Sequence, residues 1–223
     1  MNYKDKFQDK DKNITLYNMD CMELLKNTED NYFDLAIVDP PYGIKRAGQR
    51  KEVYKGVKSK HNKKYYKDKE WDKEIPKKEY FKELKRVSKN QIIWGANYFI
   101  ENLKNTSCFI FWDKGQKLNQ ADGEIAYCSI QKPIRSITIN RAFIAQKGGS
   151  IHPTQKPVKL YEWLLQNYAK EGDKILDTHL GSGSIAIACN RLKYELTACE
   201  LDSEYFEASV KRYKEQTAQI QMF

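Results

Sequence analysis

Several familiar signatures are missing from this chain, and each absence narrows what it does. Its 223 residues contain no run of 18 apolar residues, so a membrane-spanning helix is not expected. The opening Met1-Asn-Tyr-Lys-Asp-Lys6 is polar and lacks the apolar core of a secretory signal. Cysteine is scarce and unpatterned: Cys21, Cys108, Cys128, Cys189 and Cys199 are odd in number and form no CxxC pair. Four of them lie in apolar stretches, where a free thiol packs as a small hydrophobe. A reduced cytoplasmic protein without disulfides is predicted. Histidine is limited to His61, His152 and His179, far apart in sequence, and no metal site is predicted. His152 reads as a structural, hydrogen-bonded histidine. There are no internal repeats, no full GxGxxG and no Lys-Ser/Thr of a phosphate-binding P-loop.

What is present is positive charge and one unusual turn. The formal charge is +9 with a sequence pI near 9.1, and hydrophobic residues make up 40%. That is enough for one domain spanning residues 1–223 with a sizeable core. The positive excess gathers in Lys45–Lys73, where tyrosines and a tryptophan interleave with lysines. Composition alone fits a solvated loop. Its place directly after Asp39-Pro40-Pro41-Tyr42 favours a phosphate-contacting arm, a basic insertion over about residues 43–75.

Asp39-Pro40-Pro41-Tyr42 follows the apolar run Asp34–Val38, which reads as a buried strand. Open α/β sheets place their ligand crevice at the carboxyl ends of strands. The two prolines stiffen the turn and donate no backbone hydrogen bond. The Asp39 carboxylate and the Pro40 carbonyl are thereby left as fixed acceptors beside an aromatic ring, which suits the amino group of a planar base.

Further strand-like runs occur at Ile14–Tyr17, Gln91–Trp94, Cys108–Trp112, Glu124–Ile130, Ile134–Ile139, Lys174–Asp177 and Glu195–Cys199. Helical patterns occupy Cys21–Lys26, residues 77–88 (Tyr80, Phe81, Leu84 and Val87 on one face), the stretch after Pro157, about Ser184–Arg191, and the chain from about Ser203. Pro157 is read within a first helical turn, Gly172-Asp173 as a helix breaker, and Lys147–Gly149 as a loop. This alternation predicts a parallel sheet with helices on both faces.

A second constellation is Asp177-Thr178-His179-Leu180-Gly181-Ser182-Gly183-Ser184, a strand-to-helix turn whose glycines permit close approach of backbone to ligand. Glu200 ends the next strand 23 residues later, where nucleotide-binding folds place an acid for ribose hydroxyls. Read alone, the same turn also fits ordinary strand-turn-helix packing. Asp20 fits a helix cap and equally an acceptor for an adenine amino group; one carboxylate serves both.

Together these segments resemble the S-adenosylmethionine-dependent amino-methyltransferases of DNA. Asp39-Pro-Pro-Tyr42 matches the catalytic tetrapeptide, and His152-Pro-Thr-Gln-Lys-Pro157 with Val158–Tyr161 matches the segment preceding the cofactor turn. Ile175-Leu-Asp177 through Ser184 matches the cofactor loop, and Glu200–Tyr205 the acidic segment after it. Ala121–Tyr127 also resembles a family segment. Catalytic tetrapeptide first and cofactor loop later is the order of the beta group. Three departures stand out: the cofactor loop usually reads Asp-Pro-Phe where this chain has Asp177-Thr178-His179, it ends in Ser184 where threonine is common, and no large separate target-recognition domain is expected.

The resemblance implies a Rossmann-like methyltransferase fold with a mostly parallel, seven-stranded sheet. It implies methyl transfer from S-adenosylmethionine to the exocyclic N6 of adenine in double-stranded DNA after base flipping. An aspartate-first tetrapeptide leans to adenine; cytosine N4 is the alternative, RNA adenine a third, and a silent DNA-binding subunit the reading of another class. Asp39, Pro40, Pro41 and Tyr42 take the catalytic role, with Tyr42 stacking on the base. Asp20, Cys21, Asp39, Thr154, Gln155, Lys156, Asp177, Thr178, His179, Gly181, Ser182, Gly183, Glu200 and Leu201 take the cofactor. Lys45, Arg46, Arg50, Lys51, Lys55, Lys63 and Lys64 take phosphates, which makes activity fall steeply with salt. A second copy of the chain and a cognate restriction endonuclease are candidate partners.

Overall fold

The structure, a computed structural model, describes residues 2–44, 72–115, 121–140 and 150–218. Nine strands are formed: β1 (Asp5–Asp9), β2 (Ile14–Asn18), β3 (Phe33–Val38), β4 (Ser88–Trp94), β5 (Cys108–Asp113), β6 (Gly123–Cys128), β7 (Arg135–Thr138), β8 (Lys174–Asp177) and β9 (Glu195–Glu200). Five α-helices accompany them among the described residues: α1 (Cys21–Lys26), α2 (Lys78–Val87), α3 (Val158–Tyr168), α4 (Ser184–Leu192) and α5 (Ser203–Ala218). All strands join one sheet in the order β1-β2-β9-β8-β3-β4-β6-β5-β7. The run from β2 to β4 is parallel throughout, while β1 and β6 pair antiparallel.

The sheet therefore has nine strands among the described residues rather than the expected seven. The additions lie at its two edges. β1 is a charged strand that pairs with β2. β7 pairs parallel with β5, so it does not form a hairpin with β6. β1 buries little apolar surface, so hydrophobic patterning marks it poorly, whereas β7 lies within the strand-like run Ile134–Ile139.

Both faces of the sheet are covered, as the alternating pattern predicts. Leu35, Ile37, Ile92 and Trp94 pack with α3, α4 and α5 residues such as Leu164, Ile187 and Phe206. Ala36, Val38 and Ile93 pack on the opposite face with Leu24 and Leu25 of α1 and with Tyr80, Phe81, Leu84 and Val87 of α2. These last four are the residues expected on the apolar face of α2, and all are buried. All five cysteines are free. Pro157 sits one residue before α3, in extended backbone, rather than inside its first turn. Lys147–Gly149 and the basic residues from Lys45 to Lys64 lie outside the described residues.

This topology places three acids side by side. Glu200 ends β9, Asp177 ends β8 and Asp39 directly follows β3. These three strands are consecutive in the sheet and parallel.

Candidate active site

At the end of β3, Asp39 is enclosed by hydrogen-bond donors. Its Oδ1 accepts the Tyr42 hydroxyl at 2.6 Å and its Oδ2 accepts the Lys156 ammonium at 2.5 Å. Lys156 also reaches Glu124 Oε2 of β6 at 3.0 Å, and Lys114 reaches Glu124 Oε1 at 2.9 Å. Two carboxylates and two ammoniums thus form a charge-balanced cluster. The Lys156 side chain is only 2% exposed, and its ammonium stands 5.2 Å from the centre of the Trp94 ring. Burial pushes the Asp39 carboxyl up, Lys156 pulls it back down, and Glu124 pushes it up again. Burial alone would lower the Lys156 ammonium; Asp39 and Glu124 hold it above its ordinary value. Burial would also raise Glu124, but Lys156 and Lys114 hold it at about 2.

The turn itself is held from outside. Asp72 accepts the backbone N–H groups of both Tyr42 and Gly43 at 3.0 Å. Gly95 has φ +73°, and a Cβ there would stand 2.2 Å from Tyr42 Cε1, so the tyrosine packs directly on glycine backbone. Tyr98 stacks on Tyr42 with centroids 5.0 Å apart and planes at 15°. The role expected of Tyr42, a platform for a base, is therefore available on one ring face only. Its hydroxyl contact with Asp39 was not foreseen.

The turn after β8 is built differently. Asp177 Oδ1 accepts only the His179 N–H, at 2.9 Å, and burial raises its carboxyl to about 8. Glu200 ties the loop to β9: its Oε2 accepts the Gly181 N–H and its Oε1 the Asp202 N–H, both at 2.9 Å. Gly183 has φ +70° at the start of α4, and a Cβ there would meet Ser209 Cβ at 3.1 Å. Where the resembled family has Pro-Phe, the Thr178 hydroxyl lies 2.7 Å from the Tyr80 hydroxyl and 2.9 Å from His179 Nδ1. Burial lowers His179 to about 4, so its ring is neutral. Asp20 caps α1 by accepting the Met22 N–H at 2.7 Å.

Two cavities meet at Asp39. The larger, about 870 Å³ including its open mouth, is lined by Asp20, Cys21, Thr154, Gln155, Lys156, Thr178, His179, Gly181, Ser182, Glu200 and Leu201. Of the residues assigned to a cofactor from sequence, only Asp177 and Gly183 fall outside its lining; both shape the loop from behind. Met19, Pro41, His152, Tyr161, Leu180 and Tyr205 complete it. The smaller, about 510 Å³, is lined by Pro40, Tyr42, Ile44, Asp72, Trp112, Glu124 and Pro153. Asp39, Pro41, Thr154 and Gln155 line both.

Lys156 lines the larger cavity, and its ammonium is paired with Asp39 and Glu124. Glu124, Lys114, Trp112, Asp72 and Tyr161 carried no expected role. The signals for Glu124 are an acid within an otherwise apolar strand and its place in the family-like segment Ala121–Tyr127; the ammoniums beside it come from distant segments that spacing does not connect.

The larger cavity fits a cationic, nucleoside-bearing ligand. Asp20, Asp39 and Glu200 give it an acidic lining. Tyr161 and Gln155 also line it, and the Gln155 side chain is held by its Oε1, which accepts the Ile151 N–H at 3.0 Å. A tyrosine hydroxyl and a glutamine amide can each donate to a ligand carboxylate.

Comparison with known proteins agrees with this chemistry. Residues 102–211 match the N6/N4 methyltransferase family described as DNA methylase. The chain is 24% identical to the type II methyltransferase M.HinfI of Haemophilus influenzae, covering 90% of this chain and 68% of that protein. It is 25% identical to the type II methyltransferase M2.MboI of Moraxella bovis, covering 97% and 93%. Among solved structures, the M1.HpyAVI–SAM complex superposes with a TM-score of 0.58 at 20% identity over 89% of this chain and 99% of that one. The PvuII DNA methyltransferase (cytosine-N4-specific) superposes with a TM-score of 0.61 at 17% identity over 97% and 94%.

Proposed function

We propose that this chain, which matches the N6/N4 DNA methylase family over residues 102–211 and resembles type II methyltransferases along most of its length, transfers a methyl group from S-adenosylmethionine to the exocyclic N6 of adenine in double-stranded DNA. The observation that carries this reading is the meeting of two cavities at Asp39. One suits a cationic nucleoside and the other a flat base, with an amino-group acceptor on their shared wall.

The residues present fit the cofactor. Asp20 would hold the adenine amino group and Glu200 the ribose hydroxyls, each carboxylate oxygen having lone pairs beyond its backbone bond. Gln155 Nε2 and the Tyr161 hydroxyl would donate to the carboxylate of the methionine portion, and His179 would form part of the wall. When bound, S-adenosylmethionine supplies a methyl group already activated as a sulfonium. The protein's task is then mainly positioning.

The exocyclic nitrogen of adenine is a weak nucleophile because its lone pair is delocalised into the ring. Asp39 and the Pro40 carbonyl would accept its two hydrogens. The Pro40 carbonyl accepts no other hydrogen bond among the described residues. With both hydrogens held, the nitrogen pyramidalises and its lone pair turns toward the methyl. In a duplex the base must first leave the stack. Tyr42, Trp112 and Pro153 would enclose it. The basic arm would hold phosphates, and its flanking residues Ile44 and Asp72 line the smaller cavity.

The test is to incubate the protein with methyl-labelled S-adenosylmethionine and unmethylated DNA, digest to nucleosides, and identify the labelled one. Label in N6-methyldeoxyadenosine is expected. Label in N4-methyldeoxycytidine moves the reaction to cytosine, and no label in DNA overturns the reading.

A further inference from the structure

We propose that Lys156 is a positioning residue for Asp39, aiming that carboxylate at the shared wall of the two cavities and opposing the protonation that burial favours. The inference rests on the methyl-transfer reading and deepens it.

Geometry and charge carry it. An ammonium has three donors and no acceptor. Those of Lys156 meet Asp39 Oδ2 at 2.5 Å and Glu124 Oε2 at 3.0 Å, with the Tyr42 hydroxyl 3.4 Å away. Asp39 faces no other cation within ion-pair distance among the described residues. A carboxyl buried this deeply keeps its proton unless a positive charge opposes burial. A protonated Asp39 would present an O–H where the reaction needs an acceptor. The groups facing Asp39 are Tyr42 from its own turn, Glu124 from β6 and Lys156, with the Asp177 carboxyl on β8, raised to about 8 by burial, a further acid nearby. Lys114 occupies the far oxygen of Glu124, which leaves Lys156 balanced between two carboxylates.

The backbone of Lys156 faces the other way. Its carbonyl accepts the Ser184 hydroxyl at 2.7 Å, at the first residue of α4, and Arg212 donates to that same hydroxyl oxygen at 2.9 Å. Lys156 therefore links the glycine turn at its main chain to Asp39 at its side chain.

The experiment follows the Asp39 carboxyl by 13C NMR across pH 4 to 9 in wild type, K156M and E124Q. Single-turnover methyl transfer to DNA and S-adenosylmethionine affinity are measured beside it. In K156M the Asp39 midpoint moves up by at least one pH unit, because the opposing cation is gone. In E124Q it moves down, because a neighbouring negative charge is gone. Methyl transfer at neutral pH falls at least 100-fold in K156M and partly returns in K156R, while cofactor affinity changes less than threefold. An unchanged midpoint in K156M overturns the proposal, as does a loss of cofactor affinity large enough to account for the lost rate. If K156M does not fold, E124Q decides: a midpoint that stays put or rises overturns it. If the wild type transfers no methyl to DNA, the reaction assignment fails, yet the NMR midpoints still decide the Lys156–Asp39 relation.

Discussion

Asp39 and Asp177 occupy matching places: each stands at the carboxyl end of a parallel strand, the strands are neighbours, and both residues are largely buried. Burial pushes both carboxyls up. Among the described residues only Asp39 of the two forms an ion pair, with Lys156 of the His152–Lys156 segment. Asp177 meets one backbone amide and, with a value of about 8, holds its proton through neutral pH. The sheet fixes where an acid stands; the segment packed opposite decides whether it serves as an anionic acceptor or as a neutral brace for a loop.

The largest way to break this comparison is at Asp39. Asp39→Ala should lower methyl transfer by roughly 10³-fold or more, the range for removing a positioned proton acceptor. Duplex binding and cofactor binding should stay within threefold. Retained turnover would show that Asp39 is not the acceptor.

Glu200→Ala probes the cofactor side. It removes the carboxylate that accepts the Gly181 and Asp202 amides. Affinity for S-adenosylmethionine, measured by calorimetry, should weaken by about 10- to 100-fold, the scale of losing charge-assisted hydrogen bonds. The transfer step from the bound complex should change far less.

Asp177→Asn sharpens the contrast through stability. Because the folded-state value of Asp177 is raised from 3.8 to about 8, wild-type stability falls as pH rises between those values. The asparagine variant lacks that slope. Its advantage should be absent near pH 4 and greatest near pH 8, with each kcal/mol read as about 2–4 °C in melting temperature. A difference independent of pH would mean that Asp177 is ionised in the folded protein.

The smallest effect is expected for Tyr80→Phe, which removes the hydroxyl beside Thr178. With about 1 kcal/mol at stake, cofactor affinity should weaken no more than about fivefold and the Asp39 midpoint should not move.

Much of this arrangement is legible in the sequence, for identifiable reasons. The Asp34–Val38 run is continuously apolar because β3 is sandwiched between helices, and the acid-proline-proline turn after it is short and local. The four buried residues of α2 follow a helical period. The glycine turn and Glu200 announce themselves by chemistry that depends on backbone shape. By contrast, the cluster at Asp39 is assembled from Lys114, Glu124 and Lys156, contributed by three segments, and no local pattern records that Lys156 points at Asp39 rather than at a ligand. β1 escapes for a different reason: as an edge strand it buries little and carries charge.

The most direct measurement is a crystal structure of the protein with a non-reactive S-adenosylmethionine analogue and duplex DNA. The account predicts the analogue against Asp20, Glu200 and Gln155, and one base out of the stack between Tyr42 and Trp112 with its amino group within hydrogen-bond reach of Asp39. An Asp39 turned toward the analogue's ribose, or a flipped base seated away from the smaller cavity, would contradict it.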